Sequence, residues 1–443
     1  MSFRLRTEYN LSKDAIMKGD EKDKYSPFMK FICIKRIYNS DKPGHFSLMV
    51  TVEEKTKNGE NRKQIPLENF CTSVFLQEQI GLTDRDYTLS LEFVYDVVLS
   101  LCIEKNEQIE LPSMGFCSIS DTPVYLHSNG VITSSMYSLD NIKGFMANEA
   151  ACFFSPLGKE DNEQELAREM LKIFNISKCN SSIGTLLVSS LARAPLMSFQ
   201  STSVIPFFVG ASGVYKTSVA LIAQSAFGKD LTTPLNLKDS PKKVKKIVYQ
   251  ASDKLLVMDD FSIDFLTKKE RKIVDEFFFR LDDDYYAALG GDCINVLLMM
   301  TAETIPELDR NLKENCLFCL IKKGDIDPND LSEYQRKASD GVYSKVVMGY
   351  IKWILETYEN MNKENILLSL FDTFFELSSA ELGDKYRHSV SYNVADLMVG
   401  TYLFLNYCEN IGVISEKKSD EIFELQWKSI ISLARAEKEM GYS

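Results

Sequence analysis

The sequence predicts an α/β protein built from three parts: an N-terminal mixed α/β domain at 1–160, a central α/β core at 178–325 and a C-terminal helical region at 326–443. Three patterns support this division. Strand-like alternation dominates the first third, and an apolar strand, a glycine-rich loop and an apolar helix follow one another near residue 210. After residue 325 almost the whole chain has a helical period. Each part is long enough to bury a core of its own.

The composition is that of an ordinary globular protein. The chain has 443 residues, of which 45% are hydrophobic, and a net charge of −12, which argues against disorder and against a generally basic surface for nucleic acid. A local basic channel remains compatible with this charge. Ten scattered cysteines are typical of reduced thiols in the cytoplasm. The N-terminus lacks a signal peptide and the apolar stretch 394–408 is too short for a bilayer, so we expect a cytoplasmic protein with no membrane partner.

The first third shows the pattern of antiparallel strands. FSLMVTVE at 46–53 alternates so that Phe46, Leu48, Val50 and Val52 share one face; it follows the apolar run KFICIKRIY and precedes a turn at Asn58-Gly59. These features predict a meander. Residues 88–104 predict a helix, and 123–135 predict a second hairpin. No catalytic cluster is visible in this third.

The central part contains a near match to a phosphate-binding loop. FFVGASGVYKTS at 207–218 fits the pattern G-x-x-x-x-G-K-[ST], except that Tyr215 occupies the second glycine position. In such a loop backbone N–H groups surround phosphate at a helix N-terminus, Lys216 would reach the β- and γ-phosphates, and the Thr217 hydroxyl would ligate Mg²⁺. If position 215 requires a positive φ, tyrosine costs roughly 1–2 kcal/mol there, which weakens binding without abolishing it. The predicted nucleotide-binding residues are Gly210, Ala211, Ser212, Gly213, Val214, Tyr215, Lys216, Thr217 and Ser218.

Two further strands end in polar residues. KLLVMDDFS at 254–262 is an apolar run that ends at Asp259 and Asp260, as a Walker B strand does. We expect Asp259 to hold Mg²⁺ and Asp260 to polarise the attacking water; the alternative is a strand that ends in a solvated acidic turn. INVLLMMTAE at 294–303 places Thr301 at the end of another strand, where P-loop ATPases of the additional-strand class carry a residue that senses the γ-phosphate. ATP and Mg²⁺ are therefore the expected ligands.

Basic residues near these motifs have two interpretations. Residues 305–318 offer Arg310 and Lys313 as a cationic finger for a neighbouring subunit, or they form a solvated turn of mixed charge. The lysine-rich stretches 237–250 and 267–272 either face nucleic acid or lie on solvated helix faces. The C-x-x-C pair in CLFCLI predicts a buried strand rather than a zinc site, because no second pair follows it.

These motifs in this order resemble a known family. LPSMGFCSISDTPVYLHSNGVI, VGASGVYKTSVALIAQSAFG, KLLVMDDF, LLMMTAETIP and LSEYQRKASDGVYSKVVMGYIKWI together are similar to the helicase-like ATPases of bacterial mobile elements, from about residue 90 to about residue 415. That group includes the MCM-like replicative helicases of staphylococcal cassette chromosomes and related phage and plasmid proteins. The resemblance implies a P-loop core of the AAA type, a hexameric ring that hydrolyses ATP between subunits, and movement along single-stranded or forked DNA. It maps Lys216 and Thr217 onto Walker A, Asp259 and Asp260 onto Walker B, and Thr301 onto the first sensor.

Two departures from the family pattern affect the expected function. Lys313-Glu314-Asn315 stands where the family has Arg-x-Arg, so the finger is weakened, moved to Arg310 or lost. The winged-helix-like DNA-binding module of the family has no counterpart, so we expect a separate DNA-binding or primase partner. The expected function is an ATP-hydrolysing DNA helicase or helicase-like motor that replicates a mobile element. Two alternatives stay open: a nucleotide-binding assembly or regulatory subunit with little hydrolysis, and a scaffold that binds no nucleotide.

Overall fold

A computed structural model of the chain describes the strands of the first third and most of the residues from position 160 onward. The described residues are 4–6, 9–12, 15–19, 25–38, 46–56, 59–66, 109–111, 114–119, 122–128, 130–134, 142–144, 154, 158, 160–228, 233–237, 244, 247–248, 251–262, 267–269, 295–306, 308, 310–363, 366–383 and 386–439. The chain divides into two compact units. One unit comprises 1–112, 117–124 and 137–144, and the other comprises 113–116, 125–136 and 145–443.

The first sheet is an antiparallel meander of six strands that pair in chain order. The strands are β1 (Arg4–Arg6), β2 (Tyr9–Ser12), β3 (Ala15–Gly19), β4 (Tyr25–Tyr38), β5 (Phe46–Thr56) and β6 (Gly59–Pro66). Val50 of β5 pairs with Ile34 on one side and with Ile65 on the other. Thr56 pairs with Gly59, which closes the last hairpin at the expected turn. The predicted meander is thus confirmed.

Five short strands follow: β7 (Ile109–Leu111), β8 (Gly115–Ile119), β9 (Thr122–His127), β10 (Gly130–Thr133) and β11 (Ile142–Gly144). Strands β10, β9 and β8 form a three-stranded sheet in that order, and β11 pairs with β7 in parallel. The hairpin predicted at 123–135 is confirmed as β9 and β10. The helix predicted over 88–104 lies outside the described residues.

The second unit contains a parallel sheet whose strand order differs from the chain order. Its elements are α1 (Glu163–Leu171), α2 (Ser181–Arg193), β12 (Ile205–Val209), α3 (Lys216–Ser225), β13 (Lys254–Met258), β14 (Val296–Ala302), α4 (Arg310–Asn315) and β15 (Cys316–Leu320), with 3-10 helices at Lys172–Asn175 and Ala194–Leu196. The strands lie in the order β13-β14-β12-β15. Leu235 adds a parallel bridge to Met258 on the outer side of β13. Because the strands are parallel, the loops that follow β12, β13 and β14 meet at one edge of the sheet.

The four strands read as apolar runs because both faces of the sheet are covered. Every residue of β12, β13 and β14 is buried, and β15 exposes only Leu320. The buried strand predicted from the C-x-x-C pair is confirmed, since Cys316 and Cys319 are buried free thiols within β15.

The described residues of the C-terminal part form five helices where the sequence predicts four. They are α5 (Pro328–Ser339), α6 (Val342–Lys363), α7 (Ile366–Leu382), α8 (His388–Asn410) and α9 (Glu416–Glu439). The prediction of one helix over 331–359 is wrong. Gly341 has a φ of 77° and its N–H bonds to the Ala338 carbonyl at 3.0 Å, which ends α5 before α6 begins. The other three predicted helices, 364–380, 389–411 and 418–437, agree with α7, α8 and α9 to within two residues at each end.

Helix α2 lies at the centre of this unit, and all of its residues except Ser181 are buried. Small residues let its neighbours approach closely. A Cβ on Gly184 would lie 2.2 Å from the Phe174 carbonyl oxygen, and a Cβ on Gly400 of α8 would lie 2.6 Å from the backbone nitrogen of Arg193. The run SSIGTLLVSS is therefore poor in bulky side chains because α2 packs against elements on several sides.

A buried ion pair joins α2 to α8. Nη2 and Nε of Arg193 lie 2.9 Å and 3.0 Å from Oδ1 of Asp396, and both side chains are 1% exposed. Arg193 Nη2 also donates to the Gln200 carbonyl at 2.5 Å. Burial raises the pKa of Asp396, and the Arg193 guanidinium opposes that rise.

The most apolar late stretch, 394–408, lies within α8. Most of its side chains, including that of Asp396, are buried inside the protein. In the described part of the chain, no helix is both long enough and apolar enough to cross a bilayer.

Candidate active site

The predicted phosphate loop connects β12 to α3, and this strand–loop–helix context is confirmed. Gly210 passes close to the backbone after β15, so that a Cβ there would lie 2.2 Å from the Ile321 carbonyl oxygen. Gly213 has a φ of 81°, which glycine adopts without strain. The first glycine is thus required by a close approach and the other by its backbone conformation.

Tyr215 also has a left-handed backbone, with φ 70° and ψ 19°, and it is the N-cap residue of α3. The position of the missing glycine therefore does require a positive φ. Tyrosine costs roughly 1–2 kcal/mol in this conformation. Its side chain is 39% exposed and makes no capping hydrogen bond. A strained non-glycine residue at this place does not prevent the loop from forming.

The strain at Tyr215 predicts a difference between two substitutions. Tyr215→Gly relieves the strain, whereas Tyr215→Ala removes the ring but keeps a Cβ. We expect the glycine variant to exceed the alanine variant in unfolding free energy by about 1 kcal/mol, measured by urea denaturation. If the alanine variant proved the more stable of the two, the loop would not hold residue 215 in this conformation in solution.

Lys216 lies across the loop, where its Nζ donates to the Ala211 carbonyl at 3.0 Å. Only 8% of the residue is exposed. It begins the ten-residue helix α3, whose first N–H groups have no helical acceptors and whose dipole is positive at this end. The ammonium and the helix N-terminus together make the loop a favourable place for an anion.

Asp259 is the residue at which the three predicted motifs meet. Thr217 Oγ1, from the first turn of α3, donates to Asp259 Oδ1 at 2.5 Å. Thr301 Oγ1, from β14, donates to the same oxygen at 2.6 Å. These contacts place the oxygen atoms of the two predicted Mg²⁺ ligands, Thr217 and Asp259, side by side at the edge of the sheet.

Asp260 is exposed at the same edge and has a φ of 53°. Its N–H donates to Thr301 Oγ1 at 3.1 Å, and the next residue, Phe261, donates its N–H to the Thr301 carbonyl at 2.8 Å. Phe261 is buried, with its ring 6.2 Å from that of Phe207 in β12. The left-handed turn therefore directs the chain back into the core and leaves Asp260 at the surface of the site.

Thr301 has a more specific position than the sequence indicates. It is 1% exposed and connects the carboxylate of Asp259 with the backbone of Asp260. In this arrangement its hydroxyl orients the two aspartates rather than facing an open site. A sensor role for Thr301 stays a prediction.

Helix α4, which contains Arg310 and Lys313, lies at the opposite end of the sheet from the loop. Strands β15 and β12 are parallel, with Cys316 beside Ile205 and Leu320 beside Val209. The loop follows Val209, whereas α4 precedes Cys316, so one strand length of roughly 15 Å separates them. Lys313 lies at that far end. For Arg310 only the backbone position in α4 is described.

The structure brings to α4 an arginine that the motifs did not indicate. Arg387, the N-cap residue of α8, places Nη1 3.2 Å from Oε1 of Glu314. Asn393 of α8 donates its Nδ2 to the Glu314 carbonyl at 2.9 Å. Arg387 and Glu314 are 73 positions apart in the chain, and no spacing pattern connects them.

The basic stretches are described only in part. In 237–250 the apolar residues Val244, Ile247 and Val248 are buried. The five lysines of that stretch, Lys238, Lys242, Lys243, Lys245 and Lys246, lie outside the described residues. Lys268 and Lys269 of the second stretch are exposed.

A second buried carboxylate, which the sequence did not suggest, lies at the other end of β13. Asp253 is fully buried, and its carboxylate accepts from the Ser198 N–H at 2.7 Å, the Ser198 hydroxyl at 2.6 Å and the Phe116 N–H at 2.8 Å. Tyr125 donates its hydroxyl to the Asp253 carbonyl at 3.0 Å. A Cβ on Gly115 would lie 2.4 Å from Asp253 Oδ2, so that position requires glycine. Burial raises the pKa of Asp253 to about 7, against the opposing effect of these hydrogen bonds and of Arg193.

This pKa predicts a pH dependence of stability. In the unfolded chain Asp253 titrates near its ordinary pKa of about 4, so between about pH 4 and about pH 7 the folded protein binds more protons. The unfolding free energy of the wild type, relative to that of Asp253→Asn, should therefore fall as the pH rises through this window, by up to about 1.4 kcal/mol per pH unit. Denaturant titrations at several pH values measure the difference. If this difference in unfolding free energy did not change with pH, Asp253 would have the same pKa in the folded and the unfolded protein.

Comparisons with known proteins give matches among solved structures only. No protein-family model matches the chain, and no curated protein is similar to it. The structure of SCCmec type IV Cch, described as an active helicase, is 12% identical with a TM-score of 0.49, and the match covers 98% of this chain and 80% of that one.

Apo structures of the NrS-1 C-terminal region match as well. One is 11% identical with a TM-score of 0.30, covering 81% of this chain and 85% of that one. Another is 10% identical with a TM-score of 0.30, covering 86% and 88%. The matches include one structure described as a helicase, the class that the resemblance stated from the sequence names.

Proposed function

We propose that this chain hydrolyses ATP and acts as a DNA helicase or helicase-like motor in the replication of a mobile genetic element. The observation that carries the proposal is the pair of hydrogen bonds from Thr217 and Thr301 to one oxygen of Asp259. They join the loop, β13 and β14, as the three motifs must be joined to act on one nucleotide. The strand order supports the same function, because β14 lies between β12 and β13, as in the additional-strand class of P-loop ATPases. The order of motifs in the sequence directs the proposal to helicases.

In this proposal the loop from Gly210 to Tyr215 and the N-terminus of α3 bind the phosphates. Lys216 exchanges its bond to the Ala211 carbonyl for the β- and γ-phosphates. Thr217 and Asp259 would hold Mg²⁺, and their adjacent oxygens fit it, because Mg²⁺ takes one or two protein oxygens beside substrate phosphates. When bound, the metal neutralises charge that develops on the phosphates.

Asp260 is proposed to orient and polarise the attacking water. It is exposed at the same edge of the sheet, and Thr301 fixes its backbone. Asp260→Asn keeps the size of the side chain but removes its charge. We expect it to retain ATP binding and to lower turnover by at least about 100-fold, measured by nucleotide titration and steady-state hydrolysis. Equal losses of binding and turnover would assign Asp260 to binding instead.

Assembly follows from the position of α4. Because one strand length separates α4 from the loop of its own chain, a cation near α4 can complete only the site of another copy. Repeated head-to-tail contacts of this kind close into a ring when the rotation between copies closes, and we propose a hexamer that surrounds single-stranded or forked DNA. A separate DNA-binding or primase partner is part of the proposal.

The test of this function is the ATPase rate with and without single-stranded DNA, together with the mass of the assembly with and without ATP. A motor that moves on DNA should hydrolyse ATP faster when single-stranded DNA is present and should assemble when ATP binds. Duplex DNA of the same length is the control for charge. If neither single-stranded nor duplex DNA changed the ATPase rate, the proposed helicase function would be wrong and the protein would be a DNA-independent ATPase.

One observation favours a second function, a nucleotide-binding assembly or regulatory subunit with weak or no hydrolysis. Lys313-Glu314-Asn315 contains no arginine, and the carboxylate of Glu314 is paired with Arg387. A subunit of this kind would bind ATP tightly in a thermal-shift titration and would assemble, yet it would turn over little ATP with or without DNA.

A further inference from the structure

The contact between Arg387 and Glu314 places a guanidinium at the end of α4 that faces away from the chain's own loop. Glu314 is the next-to-last residue of α4, and β15 begins two positions later. Because β15 runs parallel to β12, this end lies roughly 15 Å from the loop, further than an arginine side chain reaches. A phosphate that Arg387 touches must therefore belong to another copy of the chain.

Helix stability does not explain an arginine at this place. Arg387 precedes the first turn of the 23-residue helix α8, where the helix dipole disfavours a cation. Lys313, in contrast, lies in the last turn of α4, where a cation is favoured in any helix. The helix dipole thus explains the position of Lys313 but not that of Arg387, whose described contact is the ion pair with Glu314.

The geometry at Arg387 is suited to holding a phosphate. The contact to Glu314 uses one nitrogen, and a guanidinium has five N–H donors in a planar fork that matches phosphate oxygens. The side chain is 40% exposed, so part of it faces solvent. Glu314 is held in turn by Asn393, which is buried, so the guanidinium is positioned by two helices rather than by a loop.

We propose that Arg387 is the catalytic arginine that a neighbouring copy of this chain inserts into the ATP site, with Glu314 as its positioning residue. It supplies from α8 the guanidinium that Lys313-Glu314-Asn315 lacks. The inference rests on the proposed function, because it assigns a residue to that same reaction. In the transfer, water bonds to the γ-phosphorus while the bond from that phosphorus to the bridging oxygen breaks. ADP leaves with the electron pair of that bond, the attacking water loses a proton to Asp260, and Arg387 stabilises the negative charge on the phosphoryl oxygens.

The first measurement is steady-state hydrolysis by Arg387→Ala. We expect ATP binding to change little, since the nucleotide binds to the loop of the other chain, and turnover to fall by at least about 1000-fold. Arg387→Lys should recover little, because lysine cannot replace a planar fork. The matched control is Arg336→Ala, since Arg336 also forms an exposed ion pair at 3.2 Å, with Asp340 four positions later in the chain. It should keep wild-type turnover.

The deciding measurement mixes two inactive proteins. Lys216→Ala lacks the loop function but keeps Arg387, and Arg387→Ala has the opposite defect. Equimolar mixing should restore up to about a quarter of wild-type turnover, because that fraction of contacts pairs an intact loop with an intact arginine. Lys216→Ala mixed with Asp260→Asn should restore none, since both changes damage the same half of the site.

The outcomes separate the two proposals. If the wild-type protein hydrolysed no ATP, the proposed function would be wrong. If the wild type is active, full turnover by Arg387→Ala would remove the assignment of Arg387 alone. So would a mixture that assembles, by mass, but recovers no turnover, because Arg387 would then not act across the contact between copies.

Discussion

Lys216→Ala is expected to abolish ATP hydrolysis, with a loss of at least about 100-fold in turnover. The substitution removes the only loop side chain that carries a positive charge between Gly210 and Ser218. In the structure the ammonium bonds to the Ala211 carbonyl, and Ala211 is exposed, so water can replace that bond. The fold should therefore persist. Steady-state hydrolysis and nucleotide titration measure the effect.

A lysine of the C-terminal helices provides the control for Lys216. Lys418 lies on α9 in an exposed ion pair with Glu421, and Lys418→Ala removes the same charge without touching the loop. It should retain full turnover. Unchanged hydrolysis in Lys216→Ala would contradict the nucleotide site itself, provided that thermal unfolding confirms that both variants are folded.

Asp396→Leu is expected to lower the unfolding free energy by about 3–5 kcal/mol, because it leaves the buried guanidinium of Arg193 without its counterion. Arg193 and Asp396 join α2 to α8 and are each 1% exposed, so water cannot replace the lost partner. The loss is large relative to the 5–15 kcal/mol that stabilises a typical domain. Urea denaturation followed by circular dichroism measures it.

The double variant Arg193→Met/Asp396→Leu tests whether the loss of stability in Asp396→Leu comes from the unpaired charge of Arg193. Two apolar side chains of similar size remove both charges, and such replacements are often neutral or stabilising. The double variant should therefore be more stable than Asp396→Leu alone. If it were less stable, the hydrogen bond from Arg193 to the Gln200 carbonyl would stabilise the fold by more than the unpaired guanidinium destabilises it.

Sequence patterns predicted most of the helices and strands whose conformation depends on neighbouring residues in the chain. The alternation in β5, the apolar run of β12 and the glycine loop each determine their own conformation, and each is where the sequence places it. The break between α5 and α6 was missed because Asp340-Gly341 lies within a continuous helical period. A glycine inside such a period either stays helical or ends the helix, and the choice depends on tertiary contacts.

The candidate site was predictable to a similar extent. Lys216 and Thr217 belong to a motif with fixed spacing, and Asp259 and Asp260 end an apolar run, so the sequence named all four as candidates. Thr301 was identified only by its place at the end of a strand, and its contact with Asp259 spans 42 positions. Arg387 and Asp253 belong to no motif and were missed, since nothing near either residue in the chain indicates its partner.

By itself the sequence determined the meander, the glycine loop between β12 and α3 and most of the C-terminal helices, because strand alternation, helical period and motif spacing are properties of neighbouring residues. Only the tertiary structure decided the order of the strands, the burial of Arg193 with Asp396 and the end of the sheet at which Arg387 lies. Each of these depends on contacts between distant segments. Such contacts form only where the whole chain buries its apolar faces together.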